Sequence, residues 1–191
     1  MSSTPLLIWL YTLAFAAVHS LLASQAVKEY VYQFGLQTHH YRLLYSLLGV
    51  LTTFVWLYWI GTLPDTLLYT VQEGGLQYGL YTLQALGLYI VLAALKPIDG
   101  AVFLGLKKAE QQTDPFIEQG VFKYIRHPMY TGFMLFLLAK PEHTMVSLHF
   151  ALAVSVYFIV GSKFEERRML AEHPDYADYQ QKVGAFIPKL F

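Results

Sequence analysis

The sequence predicts an all-α polytopic membrane protein with about five membrane-inserted helices, the last two forming a helical hairpin in the C-terminal half ahead of an amphipathic cytoplasmic tail. Three observations carry this reading. Apolar residues make up 55% of the chain and charged residues only 14%, whereas an ordinary soluble domain is about a quarter charged. Several stretches without a charged side chain are long enough to cross a hydrocarbon core at about 1.5 Å per residue. The Lys and Arg residues also crowd onto alternate loops, as retention of short basic loops in the cytoplasm requires.

Pro5 to Ala23 is the first span, with His19 its only strongly polar member. It lacks the basic start of a cleaved signal and is expected to stay as a helix. Leu43 to Ile60 is the second. Leu76 to Leu95 is the third, bounded by Glu73-Gly74-Gly75 and Lys96-Pro97, which are sensible helix ends. Met129 to Ala139 is too short to span alone. Thr144 to Gly161 is nearly long enough, and Lys140-Pro141-Glu142-His143 makes a polar corner between these two. Basic residues follow the first, third and last spans; the loop between the second and third has none, and the Pro141 corner has only Lys140. Five crossings with the N-terminus outside and the C-terminus inside satisfy that pattern. The chain reads as one membrane domain, 1–191, with a three-helix part at 1–96 and a loop, hairpin and tail at 97–191.

The zero formal charge and lack of a basic motif argue against nucleic acid as a partner. The absence of cysteine excludes disulfides, Cys-ligated metal centres and a Cys nucleophile. Membrane lipids are the expected surroundings, no metal is expected, and the oligomeric state is not legible.

Polar chemistry concentrates between residues 97 and 132. A loop as long as Pro97 to Ile125 is usually functional or disordered, and its apolar residues argue against disorder. Thr113-Asp114-Pro115 is a turn or helix-start signal, and Gly120 gives backbone freedom just before Arg126-His127-Pro128. Pro128 suits the first position of a helix and keeps His127 out of helical geometry. Helix N-terminal amides and Arg126 together would attract an anion. Gly132, on the same face as Pro128, would admit another helix or a ligand. Beyond the hairpin, Glu165-Glu166 could hold a cation with a carboxylate tail, such as a sulfonium, and the 15 Tyr and 13 Phe supply faces for cation–π contact.

The ordered set Gly120-x-x-x-Tyr124-x-Arg126-His127-Pro128-x-Tyr130-x-Gly132, an apolar hairpin, Glu165-Glu166, Tyr176-x-x-Tyr179 and Ile187-Pro188 resembles the isoprenylcysteine carboxyl methyltransferase superfamily of integral-membrane enzymes. His19-Ser20 and Tyr41-Arg42-x-x-Tyr45-Ser46 resemble most its NnrU and methanethiol S-methyltransferase branch. Two positions depart from the pattern: His173-Pro174 stands where Phe-Gly or His-Gly is usual, and Val183-Gly184 where Val-Pro is usual.

The resemblance implies S-adenosyl-L-methionine as cofactor and a small or lipid-like methyl acceptor, with a thiol preferred, in a multi-pass protein whose active site faces the cytoplasm. It implies cofactor binding by Tyr124, Arg126, His127, Pro128, Tyr130, Gly132, Glu165 and Glu166, and makes 1–96 the acceptor side. There His19 and Arg42, expected at the same depth, and Tyr41 would orient or deprotonate the acceptor. Alternatives are isoprenylcysteine carboxyl or phospholipid amine methylation, a membrane reductase akin to sterol reductases, or a haem protein using His19 and His149. Plainer readings exist for single residues. Arg126 reads as an interfacial positive-inside residue and Tyr176 and Tyr179 as interface anchors. His127 reads as an N-cap, Glu165 and Glu166 as a solvated helix end pairing with Arg168, His19 as a helix–helix hydrogen bond, and His39-His40 as surface.

Overall fold

The computed structural model describes residues 3–108 and 116–189, so the Thr113-Asp114-Pro115 signal lies outside the described residues. Its elements run α1 (Thr4–Ala23), α2 (Gln25–Tyr32), α3 (Thr38–Gly61), β1 (Leu67–Thr70), α4 (Gly75–Leu95), α5 (Gly100–Phe103), a 3-10 turn (Gly120–Lys123), α6 (Pro128–Leu138), β2 (Glu142–Thr144), α7 (Met145–Glu172) and α8 (Tyr176–Lys182). The all-α membrane reading holds: α1, α3, α4 and α7 are long and apolar enough to cross a membrane, and α6 is the shorter apolar helix expected. These residues form two compact units, 3–64 with 98–108, and 65–97 with 116–189.

In the first unit α1 and α3 run antiparallel. Thr4 Oγ1 donates to the Pro64 carbonyl at one end (3.1 Å) and Tyr41 Oη to the Leu22 carbonyl at the other (2.5 Å). Between them Phe15 stacks on Trp56 with ring centroids 4.2 Å apart. The sequence did not mark α2 as a separate helix. Ser24 stops α1 with extended backbone and accepts the Val27 N–H at 3.4 Å, so one residue caps the end of one helix and the start of the next. Gly105 has φ +79° and lies against the first turns of α3, where a Cβ would come within 2.3 Å of the Leu43 nitrogen. Only glycine fits that seat.

In the second unit α4 and α6 cross backbone to backbone. A Cβ on Gly87 would lie 2.6 Å from the Gly132 carbonyl oxygen, and one on Gly132 would lie 2.5 Å from that of Gly87. Two glycines facing each other let the helices close in, the usual device for helix association in lipid. Gln84 adds a side-chain hydrogen bond across this contact to the Phe136 carbonyl at 2.9 Å.

At the far end of the unit, β1 pairs antiparallel with β2, Tyr69 opposite His143 and Thr70 opposite Glu142. This small ladder was not legible as two strands, because one falls in a loop and the other in the Pro141 corner. It ties the loop before α4 to the tip of the α6–α7 hairpin. His143 is fully buried there, between the Leu138 carbonyl and the Ser147 hydroxyl. Thr144 and Ser147 form a reciprocal capping box at the start of α7. Asp65 contributes a second cap from a distant point of the chain, accepting the Val146 N–H at 2.9 Å.

Candidate functional site

α7 is longer than the apolar stretch that announced it. Glu166 lies about 30 Å along the helix from Met145 at 1.5 Å per residue, close to one hydrocarbon thickness from the β-ladder. The hairpin therefore carries Glu165 and Glu166 back to the level at which α6 begins.

Pro128 is the first residue of α6, as its missing N–H favours. His127 before it is non-helical (φ −118°, ψ 61°), with its side chain free of capping and turned to α7. The residues preceding α6 dock on the end of the chain: the Arg126 N–H donates to the Gly184 carbonyl (2.8 Å) and the His127 N–H to that of Ala185 (2.9 Å). Gly184 is required by this turn, since a Cβ there would lie 1.9 Å from the Ile187 carbonyl oxygen. That supplies a physical reason for the departure from Val-Pro noted above.

On this frame the cluster assembles. Arg126 Nε and Nη2 both donate to Glu166 Oε1, at 2.8 and 2.7 Å, and both side chains are buried. Arg126 Nη1 donates to the carbonyls of Gln180 (3.0 Å) and Val183. Four of the five guanidinium N–H groups are thereby engaged. Glu166 Oε1 also meets His127 Nε2 at 3.0 Å, and Oε2 accepts from the Gln180 amide at 2.8 Å. An ionised carboxylate only accepts, so His127 carries a proton on Nε2. Its Nδ1 lies 3.6 Å from Glu165 Oε2, the atom that also accepts from Tyr130 Oη at 3.1 Å. The His127 and Tyr130 rings stack, and Tyr130 stacks in turn on Phe158 with centroids 4.6 Å apart.

Arg126, His127, Tyr130, Glu165 and Glu166 are thus brought into one cluster. Glu166 is not part of a solvated helix end: it is buried on the Arg126 guanidinium. Glu165 differs, with a side chain 40% exposed. Pro128 is buried as the first residue of α6, Gly132 faces α4, and Tyr124 is 66% exposed at the surface. Tyr176 and Tyr179 are not lipid-facing anchors. They are 4% and 7% exposed and pack with Met169, Val183 and Phe116 as the core that holds α8 on α7. Burial, and then the Glu166 carboxylate, push the Tyr176 phenol up to about 12, so it stays neutral, and its oxygen accepts from the Arg126 guanidinium. Tyr179 Oη donates to the Phe122 carbonyl at 2.6 Å, tying α8 to the 3-10 turn. Gln180, Phe158 and the carbonyls of residues 180–185 were missed by sequence reasoning. Gln180 had a faint signal, lying one helical turn beyond Tyr176.

In the first unit His19 Nε2 lies 2.9 Å from Thr52 Oγ1, its ring 4.2 Å from Phe15 and edge-on to Tyr45 at 6.1 Å. Its Cε1 lies 3.4 Å from where a Cβ on Gly49 would be. Gly49 is seven residues from Arg42, or about 10 Å along the helix. The expectation that His19 and Arg42 share a depth is therefore corrected. α3 begins at Thr38, earlier than expected, so Arg42 lies on its first turns while His19 packs further along. Tyr41 is buried, its hydroxyl on the Leu22 carbonyl.

No solved structure matches the chain. Among characterised proteins it is 32% identical to methanethiol S-methyltransferase 2 of Bradyrhizobium diazoefficiens, over 93% of this chain and 70% of the relative. It is 29% identical to the methanethiol S-methyltransferases of Pseudomonas deceptionensis, over 92% of this chain and 70% of the relative, and of Mycobacterium tuberculosis, over 91% and 74%. The family model described as NnrU protein matches residues 7–185, nearly the whole length over which the two units are built, and the chain belongs to that family.

Proposed function

We propose that the protein is an S-adenosylmethionine-dependent membrane methyltransferase that moves a methyl group to a small thiol, with its cofactor site on the Arg126–Glu166 side of the second unit. The observation that carries this reading is the buried Arg126–Glu166 pair with the half-exposed Glu165 beside it. Counting His127 as neutral, one guanidinium against two carboxylates leaves a formal charge of minus one. Such a site suits a ligand of net positive charge. Glu165, held in place by the Tyr130 hydroxyl that donates to it, would receive the cationic part. Arg126, engaged by Glu166, by the carbonyls of Gln180 and Val183 and by the Tyr176 hydroxyl, serves to fix Glu166 and the end of the chain. The cofactor supplies, when bound, a methyl group on a sulfonium, an electrophile that needs no metal.

The names of the relatives support a thiol as the acceptor. A thiol with a pKa of about 8.5 is only partly ionised at neutral pH, so a base or a cation beside it raises the reactive fraction. We assign that task to His19, with Arg42 and Tyr41 on the acceptor side.

Calorimetry of the purified protein with S-adenosylhomocysteine, followed by assay with S-adenosylmethionine and a panel of methanethiol, larger thiols, a prenylcysteine and an amine, tests the reading. Saturable binding and turnover of the small thiol are expected. Binding without turnover of any thiol would refute the acceptor class; no binding would refute the cofactor.

A further inference from the structure

A side-chain hydroxyl carries a single proton, and Thr52 shows where it goes. Thr52 Oγ1 lies 2.7 Å from the Leu48 carbonyl oxygen one helical turn back, and 3.2 Å from that of Gly49. Both are acceptors only, so the hydroxyl proton points along the helix. The adjacent Thr53 does the same with the Gly49 carbonyl at 2.7 Å, as threonines in helices do. Thr52 Oγ1 therefore faces His19 Nε2, 2.9 Å away, with a lone pair. The proton in that contact belongs to the imidazole.

We infer that Thr52 is a positioning residue: it holds His19 as the tautomer protonated on Nε2, so that Nδ1 carries the lone pair that serves the acceptor. The inference rests on the proposed acceptor role of His19. The two ring nitrogens of a histidine are distinct, and the hydrogen bond made by one sets the chemistry available at the other. In the step assigned to His19, the acceptor's S–H bond breaks, its electron pair stays on sulfur, and the proton passes to Nδ1. The resulting imidazolium keeps its Nε2–H on Thr52 and later returns the Nδ1 proton to water. Ring packing supports the same geometry. Phe15 lies against His19 at 4.2 Å and Tyr45 meets it edge-on, so rotation of the imidazole about its own axis is restricted. A Cβ at Gly49 would meet the ring edge at 3.4 Å, an ordinary contact distance.

The test has two arms on the full-length protein in detergent micelles. In the first, nitrogen NMR of histidine-labelled protein, with the His19 signal assigned by its loss in His19→Gln, reads the tautomer directly. The Nε2-protonated form is expected in the wild type and in Thr52→Ser, which keeps the acceptor oxygen, and a mixture of tautomers in the isosteric Thr52→Val. A wild-type His19 protonated on Nδ1, or a tautomer indifferent to Thr52→Val, overturns the inference. In the second arm, Thr52→Val should lower kcat for a thiol by at least about tenfold, leave S-adenosylhomocysteine affinity unchanged, and be rescued in Thr52→Ser. Loss of the tautomer with no change in kcat would refute the use made of His19. A protein that methylates no thiol would fail the proposed function, while the NMR arm would still decide the tautomer.

Discussion

Arg126 illustrates how a residue picked out for ligand binding can be, first, part of the scaffold. Its guanidinium and the Glu166 carboxylate are both buried, at 8% and 7% side-chain exposure. Removing one partner leaves the other charged and unpaired, so Arg126→Ala should cost about 3–5 kcal/mol in stability. Replacing both with methionine should recover most of that, because an apolar pair of similar volume has no desolvation cost to offset. Thermal unfolding in detergent separates the outcomes: a double variant no more stable than the single one would show that the carbonyls of Gln180 and Val183 matter more than the ion pair. Glu165 lies at the opposite extreme. Its side chain is 40% exposed, so Glu165→Gln should leave stability nearly unchanged while weakening S-adenosylmethionine by about fivefold, the discounted worth of a half-exposed charge contact, and the uncharged-sulfur product less. Equal losses for the two ligands would remove Glu165 from the sulfonium side. The sequence made both glutamates visible as a pair, but not their division of labour, which depends on which one the helix turns towards Arg126.

At the scale of elements, the second unit depends on two contacts that single substitutions can probe. Gly87 and Gly132 meet with no room for a side chain, so Gly132→Leu should force α4 and α6 apart at a cost of about 1–3 kcal/mol or more. Because α6 carries Pro128 and the residues before it, loss of cofactor binding should follow loss of packing. Gly132→Leu with full stability and affinity would mean that the helices can separate freely. At the other end Asp65 holds the start of α7. Slight burial raises its pKa, but the N–H groups of Val146 and Thr66 and the Thr144 side chain outweigh that and hold the carboxyl below its ordinary value. A folded-state pKa below the unfolded one stabilises above about pH 4, and that contribution is lost as pH falls through the folded value. Asp65→Ala should cost about 0.5 kcal/mol at neutral pH, the low end for a cap because the site is exposed, and that deficit should vanish as pH falls through the folded-state pKa. A pH-independent deficit would show that the loss is one of packing. The spans were legible because each is a run of uncharged apolar residues with glycine, proline or charge at its ends. The ladder was not: β1 and β2 come from segments with no alternating pattern, and they pair only because α4, α6 and α7 bring their ends to one place.

For the whole molecule, the ladder turns a statistical argument about sidedness into a geometric one. The loop before α4 and the Pro141 corner, both poor in Lys and Arg, are joined by β1 and β2 and so lie on one side. The Arg126–Glu166 cluster lies about 30 Å away along α7, where Lys163, Arg167 and Arg168 accumulate. Basic residues are retained on the cytoplasmic side, so the ladder should face outward and the cluster should face the cytoplasm, where S-adenosylmethionine would be supplied. α6 alone is only 11 residues, about 17 Å, and does not span a core of about 30 Å. It need not, since the residues from Ala139 to Thr144 continue beyond it to the ladder. Reporter fusions inserted at Gly74 and after the C-terminus should therefore give opposite orientations, and a cysteine introduced at Glu142 should react with an impermeant thiol reagent added outside while one at Lys182 should not. Labelling at both positions, or at Lys182 alone, would invert or abolish the proposed topology. A cluster facing outward would then separate the site from its cofactor supply and, with it, defeat the methyltransferase reading.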